Sequence, residues 1–223
     1  MKKKLFLGLI IFGSLFQLLT VFRSGQPCQQ GICFWGPNGH DGIWHLALGR
    51  QVVKKIPPPN PVYSNTVLKN YHWGYNLVLG GLSRILPFSI SRIHFQILPL
   101  IFTLLLGFFS FKLGEVLTGR FWVGFWFAFL NYFGNSLGWV VTLIRNGRIG
   151  GESLFWSMQS ASFLLNLPFA LSVIILLGGY LLWLKWQKNL TWGRVILVGS
   201  IFGLLLNIKA YSAILFIFAA GLT

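Results

Sequence analysis

The chain has 223 residues, 55% of them apolar and only 9% charged, and 18 lysines and arginines against three acids give it a formal charge of +15. Several runs approach the roughly 20 apolar residues needed to cross a hydrocarbon core, which excludes an ordinary soluble domain and points to an all-α, polytopic membrane bundle. The runs are continuous rather than alternating, which excludes a barrel, and the cations are scattered between them, which favours anionic lipid headgroups and phosphate-bearing substrates over nucleic acid.

Lys2-Lys3-Lys4 opens the chain, followed by an apolar run over about 5–22 with no small-x-small cleavage site before Arg23. It reads as an uncleaved anchor in the cytoplasmic (plasma) membrane with its N-terminus in the cytoplasm. Residues 23–93 then lie outside, and they hold both cysteines, Cys28 and Cys33. An oxidising exterior would let the two form a disulfide; two free thiols, or a zinc site shared with His40, are the alternatives.

The same exterior stretch contains Gly39-His40-Asp41-Gly42-Ile43-Trp44-His45. The other acids of the chain are Glu115 and Glu152. Asp41 reads either as the cap of an interfacial helix or as a chemical group between two histidines, which are themselves candidate metal ligands. A helix over about 41–55, stopped by Pro57-Pro58-Pro59, would put Asp41 and His45 on one face. A neighbouring apolar stripe of Trp44, Leu48 and Val52 is expected to rest on the membrane, with Arg50, Lys54 and Lys55 reaching headgroups.

A second segment, about 71–86, is apolar yet carries His72, Asn76 and Arg84 and ends at Pro87. Read as a second interfacial amphipathic helix rather than a span, it leaves the loops with Lys112, Arg120, Lys185, Lys188 and Arg194 in the cytoplasm, as the positive-inside tendency prefers. His72 either faces the same cavity as Asp41 or belongs to an interfacial aromatic cluster, and His94 is read as having no special role. Further spans are expected at about 95–113, 121–141, 168–184, 195–206 and 211–223. The last run is still apolar at Thr223, so the N-terminal part of a longer protein is expected.

This topology puts Asp41 and Glu152 on the outer side and Glu115 in the cytoplasm. Two carboxylates at a membrane surface can hold a divalent cation, Mg or Mn, or activate a nucleophile. Arg145, Arg148 and Lys209 on that side could neutralise a phosphate. The plainer readings are an ion pair between Arg148 and Glu152, arginines on lipid phosphate, and a lysine that snorkels.

The order of features resembles the GT-C superfamily of polyprenyl-phosphate-dependent membrane glycosyltransferases. An anchor is followed by an exterior loop with Asp-Gly and a helix, His40–Lys55, then by Tyr71–Leu86 and Phe95–Leu113. Leu117-Thr118-Gly119-Arg120 opens the next span, an exterior Arg-x-x-x-Glu follows at Arg148–Glu152, and Gly203-Leu204-Leu205-Leu206-Asn207-Ile208-Lys209 closes the series. The resemblance implies that Asp41 orients or deprotonates the acceptor, that Glu152 stands at a second acidic position, and that Lys209 with Arg148 meets the lipid phosphate. It implies a polyprenyl-phosphate-linked sugar and membrane lipids as partners. This chain departs from the pattern in having one Asp in the first loop rather than an acidic pair, and Glu in place of Asp-x-Asp in the second. A transporter or lipid-handling protein is the rival expectation, with Asn131, Asn135 and Ser136 as polar residues inside a span.

Overall fold

A computed structural model describes residues 1–134, 138–148 and 159–222, which are mostly helical. The elements are α1 (Lys2–Leu18), a hairpin of β1 (Gln26–Cys28) and β2 (Gly31–Cys33), α2 (Asn38–Val52) and α3 (Gly74–Ile85). They continue with α4 (Ile90–Thr118), α5 (Phe121–Phe133), α6 (Gly138–Asn146) and α7 (Gln159–Leu165). The described chain closes with α8 (Leu167–Trp186), α9 (Trp192–Ile208) and α10 (Ala210–Gly221).

Helix α4 is the central post. Ser89 caps it by accepting the Arg92 N–H, and Gly119, at φ +67°, ends it in the left-handed conformation that glycine adopts without strain. These two signals extend the helix beyond the expected 95–113. Along its length α4 meets α1, α5 and α8. Tyr132 of α5 occupies the space that a side chain on Gly13 of α1 or Gly107 of α4 would need, and its hydroxyl donates to the Thr103 carbonyl at 2.6 Å. Gly114 and Gly124 bring α4 and α5 together backbone to backbone, the close approach that small residues permit.

Helices α4 and α8, of 29 and 20 residues, are long and apolar enough to cross a membrane; α5, α9 and α10 are shorter apolar helices. The expected single span over 121–141 is interrupted. Its helix stops at Phe133 because Gly134 turns to an extended ψ of 136°, while the Gly134 N–H still bonds the Leu130 carbonyl at 2.6 Å. Helix α6 starts separately after that break. The expected second exterior loop, 142–167, contains the end of α6 and all of α7.

The disulfide Cys28–Cys33, with Cα atoms 5.9 Å apart, closes the hairpin, which is seated on α4. Ser91 donates to the Gly25 carbonyl at 2.7 Å, and Gln96 donates to the carbonyls of Phe22 and Ser24 at 3.0 and 2.8 Å. Helix α2 hangs from the same assembly. Asn38 spends its amide on the carbonyls of Thr20 and Trp35, both at 2.8 Å, so it does not cap α2.

The buried face of α2 is Asn38, Gly42, His45, Leu48, Gly49 and Val52. Leu48 and Val52 are therefore covered by protein rather than resting on a membrane, which corrects the expected stripe. Their cover is α3, whose Gly80 lies against the Gly49 carbonyl.

Candidate functional site

Helices α2 and α3 run parallel, so residues separated by similar intervals meet in turn. His45 lies beside Asn76, Gly49 beside Gly80, and Lys54 and Lys55 share a groove with Arg84. The leading ends of both helices consequently lie together, and the site is assembled there.

Asp41 sits in the first turn of α2, where its charge suits the helix dipole, yet it makes no cap bond. Its side chain is 49% exposed, and its hydrogen-bond partner is Nδ1 of His40, at 2.9 Å, on a ring that is itself 91% exposed. The turn is held from below. A Cβ on Gly42 would come within 2.5 Å of the Phe95 ring, so only glycine lets α2 approach α4 this closely.

His45, one turn beyond Asp41, is buried, and its Nδ1 is 3.0 Å from Oδ1 of Asn76. The Asn76 amide thus holds the imidazole through Nδ1. Burial lowers the His45 pKa below its usual value and Lys209 pushes the same way, against the Asn76 bond and the Asp41 charge. Beside it, Tyr75 is fully buried, its phenol pushed well up by that burial, and its hydroxyl pairs with His94 Nδ1 at 2.6 Å. Nearer the surface, the Trp44 indole donates to the Tyr71 hydroxyl at 2.7 Å. Burial raises the Tyr71 pKa, and the Asp41 charge adds to that rise.

The cation of the site comes from far along the chain. Helix α9 ends at Ile208 and α10 starts at Ala210, so Lys209 occupies an extended break between them. Asn207, two residues earlier, lies against Gly74 at the start of α3, which brings the break beside α2 and α3. Burial lowers the Lys209 pKa, and the nearby Asp41 carboxylate draws it back up. Asp41, His45 and Lys209 thus share one electrostatic neighbourhood.

Comparison with protein-family models, curated proteins and solved structures finds no match to this chain.

The other expected site residues are less closely joined to this cluster. His72 is exposed and stacked on Tyr71, with ring centroids 6.2 Å apart. Arg145 and Arg148 are exposed, at the end of α6 and just past it. Glu152, Asn135 and Ser136 lie outside the described residues, while Asn131 turns its amide back onto the Phe127 carbonyl of its own helix at 2.9 Å. Among the described residues no three of His, Cys, Asp or Glu converge as a metal-ligand set.

Sequence reasoning missed the supports of the site. Asn76 was visible as a polar residue in an apolar segment, but its partner was not, because nothing in one dimension shows that α2 and α3 are parallel. His94, read as the unremarkable start of a span, is buried against Tyr75 and His45.

Proposed function

We propose that this chain is a multi-pass membrane glycosyltransferase of the GT-C type, moving a sugar from a polyprenyl-phosphate donor to an acceptor hydroxyl at the extracytoplasmic face. The observation that carries the reading is Asp41: a half-exposed carboxylate with no cap bond, at the end of α2 and α3 where Asn207 brings the chain break at Lys209 against Gly74. A base and a phosphate-neutralising cation on one site are what such a transfer needs.

In this reading Asp41 takes the proton from the acceptor hydroxyl as its oxygen bonds the sugar's anomeric carbon, with inversion. The bond from that carbon to the phosphate oxygen breaks, and Lys209 stabilises the anionic leaving phosphate. His45 acts through position: fixed by Asn76, it holds the turn that bears Asp41. Arg145, Arg148 and His72 would add contacts to substrate. Glu152 and a divalent cation belong to the reading through the family resemblance alone, and no step passes through them.

Two features support the placement of the site outside. The disulfide hairpin is packed at this end, and disulfides persist in oxidising compartments. At the far end of α4, Lys2 lies over the Phe121 ring and Phe6 against Phe111, so the N-terminal lysines gather with Lys112 and Arg120. That is the distribution expected with this second end in the cytoplasm.

The test is release of polyprenyl phosphate from a lipid-linked sugar by membranes carrying the full-length protein. Asp41→Asn should lower the rate by about 100-fold or more while insertion stays normal. Undiminished transfer by an inserted Asp41→Asn protein would remove the proposed base. Passage of the intact lipid-linked sugar, with no polyprenyl phosphate released, would point instead to a transporter.

A further inference from the structure

The trailing ends of α2 and α3 enclose a second feature, a groove of about 560 Å³ with Lys54, Lys55 and Arg84 on its walls. Its apolar surface comes from Val52, Leu77 and Ile85, with Ile56 at the rim. Ile85 is 79% exposed and Ile56 58%, a large bare apolar area beside three cations. Among the described residues no carboxylate answers them. Asp41 is at the opposite end of α2, Glu115 is paired with Lys112, and among the described residues no salt bridge reaches Lys54, Lys55 or Arg84.

The negative ends of two parallel helix dipoles account for cations in this position, but not for the exposed isoleucines next to them. An external anion with an apolar body satisfies both. The groove also has the right level: Arg84 is followed, past Pro87, by Ser89, the cap of α4, which is one of the two helices able to cross a membrane.

We propose that this groove binds one anionic phospholipid, its phosphate held by Lys54, Lys55 and Arg84 and the first methylenes of its chains lying on Ile56, Leu77 and Ile85. The inference rests on the membrane placement given under the proposed function, not on the chemistry at Asp41.

The experiment uses the full chain in maltoside micelles, titrated with phosphatidylglycerol, phosphatidylcholine or inorganic phosphate, with bound lipid counted by native mass spectrometry. The wild type should prefer phosphatidylglycerol to phosphatidylcholine by about tenfold or more. The triple variant Lys54→Gln, Lys55→Gln, Arg84→Gln should lose that preference. A second triple variant, Arg120→Gln, Lys185→Gln, Lys188→Gln, removes the same charge elsewhere and should keep it. Equal loss in both variants would reduce the effect to net charge and overturn the site, as would displacement of phosphatidylglycerol by millimolar inorganic phosphate. Carbonate extraction separates the two claims. Release of the wild type from the membrane pellet would overturn the placement and the lipid site with it. Retention without any preference for phosphatidylglycerol would overturn the site alone.

Discussion

Glu115 is neutralised by Lys112 at 2.7 Å, whereas among the described residues the hydrogen-bond partner of Asp41 is the exposed ring of His40. The scarcity that singles out Asp41 was legible in the sequence, three acids standing in so basic a chain, but the Lys112–Glu115 pair was not. His45 was legible as a neighbour of Asp41 but not as a buried one. Its burial has a measurable consequence. The folded state holds its pKa below the usual 6.5, so the unfolded chain takes up the proton first and stability falls as pH drops below about 6.5. The unfolding temperature of the wild type in micelles should therefore decline between pH 7.5 and 5.5. His45→Gln, which cannot titrate, should show a shallower decline, and an unchanged slope would exclude His45 as a source of it.

Neighbouring glycines separate the contributions of packing and backbone within α3. A methyl on Gly80 would run into the Gly49 carbonyl, a backbone atom that moves only if the helices part. Nothing lies within 4 Å of a methyl on Gly81. Gly80→Ala should accordingly cost roughly 1–3 kcal/mol, seen as a lower unfolding temperature. Gly81→Ala should gain up to about 1 kcal/mol from helix propensity. The helical character was readable at this scale, since long continuous apolar runs leave few choices, but Ser89 and Gly119 were not read as the ends of α4. The break after Phe133 was not, because a glycine within an aromatic run signals a stop only when its backbone conformation is known. The face of α2 was misread for another reason: Asn38, Gly42 and His45 are polar or small, and they are buried because the turn after α1, α3 and α4 supply their neighbours.

For the whole molecule, the proposed orientation predicts which surfaces react from which side. In a background with serines at Cys28 and Cys33, a single cysteine replacing Ser83 should react with an impermeant thiol reagent added outside intact cells. One replacing Asn189 should react only after the cells are opened. The reverse pattern would put Asp41 in the cytoplasm and end the proposal of an extracytoplasmic transferase. The orientation is inferred from charge, and this labelling is its test. The site itself was only half legible: Lys209 and Asp41 lie on segments distant in the chain, and only tertiary packing joins them.

Parallel helices that follow one another directly impose a detour, since the chain must retrace the whole of α2, about 22 Å, before α3 can start. Residues 53–73 make that return journey, kept in shape by the Asn60 side chain, which accepts from the backbone of Val62 and Tyr63, and by a bridge between Pro59 and Val67. Val62 and Tyr63 are each 68% exposed at its crest. A protease nick there would sever the covalent link but not the grip of one helix on the other, and the two fragments should travel together until denatured.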